Sequence, residues 1–457
     1  MNIIICGAGR VGFTIAKLLS EQNHSITVID QSSDDIQKIN ETLDVKAIVG
    51  KATSPAVLEK ANISEANMII AVTRNDEINM LICQIAYSLF KIPKKIARIR
   101  SQEYLDPKFS QLFNKENLPI DFVISPEIEI AKSIHRKLES PGSSDNVPFA
   151  KNNIRLLEIL VDERCPINNI KLNELTNKFP NLNANILGVV RDEKFIFLKK
   201  NDYMKKNDKA YVAINASQIQ ETLEAFGHND PISKKILLIG GGNIGYNLAK
   251  YIESSTNDTR LKIIEKNKER AEFLAGELSN TIVINGDGLD EEVLKEANLD
   301  ETETVIALTN DDEDNLMVGV LVEKFSQNKR TMVLTTKPNY SLLQSSLNID
   351  DLIDPRMNTV SSILKHVHKG TIESAYSILN GEYEVIEAEI IETSDLINKE
   401  LKNADLPDEI KIGAVLREKE VIIPRSNFVF KKNDIIVFIA KKDQIPLVEN
   451  IFRISAV

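Results

Sequence analysis

Residues 3–21, IIICGAGRVGFTIAKLLSE, align without a gap on residues 236–254, ILLIGGGNIGYNLAKYIES. Nothing constrains the fold more tightly, because a long internal repeat means that one architecture is built twice. The match continues from ITVIDQSSDDIQKI (26–39) to LKIIEKNKERAEFL (261–274). It also pairs IVGKATSPAVLEKANISEANMIIAVTRNDEINM (48–80) with INGDGLDEEVLKEANLDETETVIALTNDDEDNL (284–316). The offset drifts only from 240 − 7 = 233 to 315 − 79 = 236, so the copies share length as well as motif. ISPEIEIAKSI (124–134) has an echo in IDPRMNTVSSI (353–363). A smaller repeat follows each copy: ILGVVRDEKFIFLKKNDYMKKNDKAYVAI (186–214) pairs with IGAVLREKEVIIPRSNFVFKKNDIIVFIA (412–440), with KKND in register. Turn formers at 140–153 and 227–235 predict linkers. The order is large, small, large, small, with expected domains at 1–139, 153–227, 235–372 and 382–457.

Each large module alternates short apolar runs with helical patterns. The first reads as strands at 2–6, 26–30, 45–49 and 67–72, with helices at 10–22, 33–41 and 54–61 between them. Such alternation implies right-handed βαβ units and an α/β, doubly wound parallel sheet of the Rossmann type. The small modules carry more strand pattern, as in KAYVAIN and DIIVFIA, each followed by a short helix (217–226 and 443–452). They read as compact α+β domains.

In the first large module Gly7, Gly9 and Gly12 follow a strand and open a helix, the context in which G-x-G-x-x-G carries meaning. The first glycine allows the tight turn, the second lets backbone amides approach a pyrophosphate, and the third permits close helix–strand packing. Asp30 lies 30 − 12 = 18 residues on, near the spacing of a carboxylate that binds ribose hydroxyls. The second copy keeps Gly240, Gly242 and Gly245, with Glu265 at 265 − 245 = 20 residues. An acidic residue there disfavours a 2′-phosphate, and hence NADP, in both copies.

The copies differ around the turn. Arg10 becomes Asn243, so only the first turn offers a cation to phosphates. After the third strand the first copy has Gly50, Lys51 and Ala52, where the second has Gly286, Asp287 and Gly288. Thr73 and Thr309 follow the fourth strand and should line the cleft at the switch point. Asp76, Glu77, Asp312 and Glu313 read as helix cap and first turn, stabilised by the macrodipole. Arg98 and Arg100 end a fifth strand, and Thr336 aligns with Arg100. Those arginines could reach a third phosphate or a neighbouring subunit, or form a solvated strand end.

The formal charge of −11 disfavours a general nucleic-acid surface. No apolar run approaches the roughly 20 residues of a membrane-spanning helix, and MNIIICGAGR reads as lacking a secretory signal. Cys6, Cys83 and Cys165 have no paired spacing, which disfavours disulfides and zinc. The five histidines do not recur between copies, and His366 and His368 would point in different directions on a helix. No metal site, nucleophile elbow or Walker lysine is expected. Two nucleotide cradles without acid–base residues suggest sensing. A duplicated NAD-dependent oxidoreductase with substrate-binding small domains is the alternative. A redox-sensing transcription regulator would need a basic helix-turn-helix, which the chain does not show.

GAGRVG, Asp30, AVTRNDEINMLICQIAYSLF (71–90) and RIRSQEYL (98–105), repeated in tandem with intervening small domains, resemble the regulatory-subunit family of Trk potassium uptake. That family belongs to the regulator-of-potassium-conductance class (RCK, also called KTN). The resemblance covers essentially the whole chain. It implies a non-enzymatic peripheral subunit on the cytoplasmic face of the inner membrane, bound to an integral-membrane potassium translocation subunit of the TrkH/TrkG type. It also implies NAD(H) and ATP or ADP as ligands, no nucleic acid, and a homotetramer whose eight large domains form a ring. The residues carried over as cofactor-binding in the first half are Gly7, Ala8, Gly9, Arg10, Val11, Gly12, Asp30, Lys51, Ala52, Thr73, Asn75, Arg98 and Arg100. In the second half they are Gly240, Gly242, Asn243, Ile244, Gly245, Glu265, Asp287 and Thr309. Lys51 departs from the family's usual aspartate, adding charge and bulk that would favour a more phosphorylated nucleotide.

Overall fold

The computed structural model describes the chain except residues 22–23, 180–181, 256–257, 327–328, 345, 356–361, 364–365, 367–371, 446, 448–450 and 452–457. In chain order, the first six strands are β1 (Asn2–Cys6), β2 (Ser25–Asp30), β3 (Lys46–Val49), β4 (Met68–Ala71), β5 (Lys94–Arg98) and β6 (Phe122–Ile124). The next five are β7 (Ser143–Phe149), β8 (Ile154–Leu160), β9 (Ala184–Arg191), β10 (Lys194–Ile196) and β11 (Lys209–Asn215). The second copy repeats the series as β12 (Lys235–Ile239), β13 (Arg260–Glu265), β14 (Ile282–Asn285), β15 (Thr304–Ala307), β16 (Arg330–Leu334) and β17 (Asp351–Ile353). The last five are β18 (Ile372–Ile378), β19 (Tyr383–Glu389), β20 (Ile410–Arg417), β21 (Glu420–Ile422) and β22 (Ile435–Lys441).

The chain divides into two compact units, one of residues 1–132 with 234–366, the other of 133–233 with 367–457. The first unit holds two six-stranded sheets, ordered β3-β2-β1-β4-β5-β6 and β14-β13-β12-β15-β16-β17. All the strand pairs in both are parallel; β1, for example, sets Ile3 against Ile26 on one side and Met68 on the other. Ile3, Ile4, Ile5 and Cys6 are all buried, because crossover helices cover both faces of a parallel sheet. The helix Arg10–Ser20 turns Ile15, Ala16, Leu18 and Leu19 inward and leaves Arg10 and Lys17 exposed. The strand order reverses between β1 and β4, and in such sheets a crevice opens at this switch point beyond the strands' carboxyl ends. The two halves of this unit also touch. Lys94 Nζ donates to the His366 carbonyl at 2.8 Å, and the His366 ring stacks on Phe122 at 3.8 Å.

The second unit holds two five-stranded sheets, β10-β9-β11-β8-β7 and β18-β19-β22-β20-β21. Here the structure corrects one expectation. Residues 140–153 are not a linker, because 143–149 form β7, paired antiparallel to β8. Their serines and Pro148 look like turn formers, but an edge strand tolerates a residue with no amide hydrogen. Of the linker expected at 227–235, residues 228–233 carry no regular structure, and Lys235 already begins β12. The helix expected at 217–226 is a 3₁₀ turn, Ala216–Gln218, running into Ile219–Ala225. The one expected at 443–452 begins with the turn Lys442–Gln444, and most of its remainder lies outside the described residues. So do His368 and most of 353–363.

KKND now has a physical meaning. Its aspartates, Asp208 and Asp434, are buried, and each receives two hydrogen bonds from one arginine, Arg191 or Arg417. Its asparagines, Asn207 and Asn433, take the left-handed conformation that closes the turn, at φ 70° and 66°. Across the paired small sheets, the Asn185 amide donates to the Ile412 and Gly413 carbonyls, and Lys411 Nζ donates to the Ile186 carbonyl at 2.7 Å. Among the described residues no helix is long and apolar enough to cross a membrane.

Candidate functional site

Each large domain carries a glycine-rich turn between its first strand and first helix, and the three glycines have three different jobs. Gly7 and Gly240 stand at φ 115° and 104°, and a Cβ at either would lie 2.9 Å from the carbonyl carbon of Val72 or Leu308. Only glycine fits there. Gly12 and Gly245 pack on the turn itself, where a Cβ would come within 1.8 Å of the Gly7 oxygen or 2.3 Å of the Gly240 oxygen. Gly9 and Gly242 are different: nothing lies within 4 Å of a Cβ added to either. These two present bare backbone to open space. Gly9 is the N-cap of its helix and has no side chain to cap it, so the amides of Arg10, Val11 and Gly12 have no intrahelical acceptor. Such a turn is suited to an anion. Ile244 and Asn243 occupy the same first turn in the second copy.

The acidic residues bind the turn as well as facing the cleft. Asp30 accepts from the Ala8 amide at 2.6 Å and the Ser32 amide at 2.9 Å. Glu265 does the same with Gly241 at 2.7 Å and Asn267 at 2.8 Å. Each carboxylate is thereby fixed at the end of its second strand, at the edge of the crevice, where lone pairs remain to accept from hydroxyls.

Thr73 and Thr309 meet the cradle, since a Cβ on Gly7 or Gly240 would lie 3.0 Å from their amides. Their hydroxyls donate to Asn79 and Asn315 at 2.7 and 2.8 Å, so toward a ligand they offer lone pairs. Asn79 and Asn315 were not singled out in the sequence, yet both are fully buried. Their amides reach on to the Arg98 and Leu334 carbonyls, stitching the fourth strand's exit to the fifth. The only signal was an asparagine recurring in TRNDEIN and TNDDEDN.

Asn75 and Asp311 are the helix N-caps, accepting from Ile78 and Asp314. Asp76 and Asp312 sit in the first turn as expected, but their carboxylates serve another element. Asp76 accepts from the Arg100 and Ser101 amides at 2.7 and 2.8 Å, and Asp312 from the Thr336 amide at 3.0 Å. The alignment of Thr336 with Arg100 is thus expressed in matching hydrogen bonds.

Several candidates lie apart from the turn. Arg100 Nε is paired with Glu127 at 2.8 Å. Arg98 is half-buried, its Nε has no partner among the described residues, and burial lowers its pKa. Lys51 is exposed beside the buried Ala52, on the loop after β3. Asp287 does not leave a bare negative pocket: Lys266 pairs with it at 2.7 Å and, with the Leu289 amide, lowers its pKa. The copies therefore differ by a whole positive charge at this corner, because Lys51 stands opposite Asp287 and Gln31 opposite Lys266.

A second residue not singled out is Arg270. Its Nε donates to the Gly241 carbonyl at 2.8 Å, its guanidinium lies over Phe273, and its Nη2 is buried without a partner among the described residues. The first copy has Asp35 here, so a charge reversal between the copies was the available signal. Cys6, Cys83 and Cys165 are buried, and burial raises the Cys83 thiol to about 12. No group of three or more metal-ligating side chains occurs among the described residues.

The TrkA-N domain family matches residues 3–126 and 236–355, and the TrkA-C domain family matches 156–227 and 385–453. The chain is similar to the Trk system potassium uptake protein TrkA of Azorhizobium caulinodans, at 40% identity over 100% of this chain and 99% of that one. Its counterpart in Vibrio alginolyticus is 34% identical over 100% of this chain and 99% of that one. Among solved structures, the GsuK RCK domain superposes with a TM-score of 0.60 at 17% identity, covering 99% of this chain and 95% of that chain. The GsuK channel bound to NAD does so with the same score and identity, covering 79% of that chain. At such identity the likeness concerns the fold alone.

Proposed function

Because the chain belongs to the TrkA family of Trk-system potassium uptake proteins, we propose that it is a nucleotide-sensing regulatory subunit that gates a membrane potassium translocator. The reading is regulatory, not catalytic. The observation that carries it is the pair of open glycines: at Gly9 and Gly242 alone in each turn, backbone faces space that a pyrophosphate could fill.

In the first cradle the amides from Gly9 to Gly12 and the Arg10 guanidinium would hold phosphates, Asp30 would accept from ribose, and Thr73 would line the cleft. In the second, Gly242 to Gly245, Glu265 and Thr309 would do the same. NAD(H) suits both carboxylates. ATP or ADP suits the more basic first corner, where Lys51 and Arg10 stand. A solved GsuK channel of the same fold is described as bound to NAD, which supports the ligand class. In this reading each large domain is followed by a small one that includes β7 or β18, four chains assemble a ring of eight large domains, and the ring docks on the cytoplasmic face of a TrkH/TrkG-type subunit. A bound nucleotide acts through its different affinity for two ring states, with coupling typically of about 1–3 kcal/mol.

Titration calorimetry with NADH and ATP tests the binding claim. The expected result is two nucleotides per chain, with Gly9→Val and Gly242→Val each removing one. Unchanged stoichiometry in both variants would overturn the assignment of the cradles.

A further inference from the structure

One side chain of the first glycine turn bonds to the other half of the unit. Arg10 Nη1 donates at 2.6 Å to Thr336 Oγ1, which lies 326 residues away after β16 of the second half. Thr336 is itself firmly held. Its amide and its hydroxyl both donate to the Asp312 carboxylate at 3.0 Å, and Asp312 is buried at the first turn of the helix Asp312–Phe325. The result is a chain of charge-assisted bonds, from guanidinium to hydroxyl to carboxylate, running between the halves.

The duplication makes this connection one-sided. Where the first cradle has Arg10 the second has Asn243, and where the second half has Thr336 the first has Arg100, whose Nε is held by Glu127. Among the described residues no hydrogen bond joins Asn243 to Arg100. Arg10 is exposed, and a guanidinium has five N–H donors, so one bond to Thr336 leaves others for a ligand.

We infer that Thr336 is a positioning residue of the first nucleotide site, supplied by the second half, which holds the Arg10 guanidinium ready for the phosphates of the ligand. This rests on the nucleotide reading above and extends it to regulation. A long side chain fixed in place loses less freedom when it binds. First-cradle affinity then depends on the two halves staying together, and by reciprocity a bound nucleotide favours the arrangement in which Thr336 reaches Arg10. Among the described residues the second turn shows no such link.

The test is calorimetric titration of ATP, and in parallel NADH, into the full chain carrying Gly242→Val, which leaves the first cradle open. Thr336→Val is expected to weaken binding by about 3–10-fold, the effect of one charge-assisted hydrogen bond. Thr336→Ser, which keeps the hydroxyl, restores it. In an Arg10→Gln background Thr336→Val changes nothing further, a non-additivity that mere loosening of the fold would not produce. Unchanged or tighter binding in Thr336→Val, or the same loss with and without Arg10, overturns the proposal and leaves the nucleotide reading intact. No binding of either nucleotide before Thr336 is touched overturns both.

Discussion

Substituting alanine at Gly9 and at Gly12 makes the same chemical change three residues apart, and the structure assigns the two opposite consequences. Alanine is favoured over glycine in a helix interior by about 1 kcal/mol, so propensity alone predicts that Gly12→Ala stabilises. The new methyl, however, would stand 1.8 Å from the Gly7 carbonyl oxygen. A comfortable carbon–oxygen approach is about 3.3 Å. The turn and helix must part by more than an ångström, and the turn is anchored by Gly7 to Ile29 and by Ala8 to Asp30. Overpacking of this kind costs about 1–3 kcal/mol or more. We take the upper end, about 3, for a net loss near 2 kcal/mol, which lowers the unfolding midpoint by roughly 4–8 °C in a unit of this size. At Gly9 nothing lies within 4 Å and the backbone, at φ −61° and ψ −177°, is open to any residue. Its stability changes by less than about 1 kcal/mol. Its methyl instead occupies the approach of the pyrophosphate, so nucleotide affinity falls at least about tenfold. Thermal unfolding followed by circular dichroism, with calorimetry on the same samples, reads both effects. A Gly12→Ala protein as stable as the wild type, or a Gly9→Ala protein that loses stability but not affinity, would refute the reasoning.

Asp434→Ala removes a buried carboxylate from Arg417 and should lower urea stability by about 3–5 kcal/mol, whereas Lys432→Ala, at an exposed pair with Glu392, leaves the midpoint unchanged. Burial lowers the Lys411 ammonium from 10.5 to about 8, so the unfolded chain binds more protons between those values. The penalty is full below pH 8 and fades toward pH 10.5. Relative to wild type, Lys411→Met should therefore lose about 3 kcal/mol of stability as pH rises through that window, on top of a pH-independent cost for leaving the Ile186 carbonyl without its donor. A difference curve that is flat with pH would contradict the assignment. Asp76→Ala should speed hydrogen exchange at the Arg100 and Ser101 amides, which it accepts, and leave Ile96 in mid-strand protected. Equal acceleration at all three would mean that Asp76 supports the whole sheet.

The duplicated parallel sheets were legible in the sequence because buried strands are continuous apolar runs, and Ile3–Cys6 and Ile236–Ile239 read that way without context. The three-glycine turn was legible for the same local reason. The edge strand Ser143–Phe149 was not, since Ser, Asp, Asn and Pro signal turns and only its partner strand makes it a strand. Asn79 and Arg270 were hidden for a different reason. Their roles lie in long-range bonds, to the Arg98 carbonyl and to the Gly241 carbonyl, that no periodicity encodes. Asp287 was read as an acidic contact, and its pairing with Lys266 shows how a neighbour 21 residues away can neutralise a candidate ligand-binding charge.

The central claim is that nucleotide occupancy of the cradles governs potassium movement. It is tested most directly by potassium flux through the translocation subunit in vesicles, with this chain added, with and without ATP and NADH. The account predicts a nucleotide-dependent flux with the wild-type chain, and a flux indifferent to nucleotide with the double variant Gly9→Val, Gly242→Val. Equal flux with and without nucleotide in the wild type, or the same response from the double variant, would contradict it.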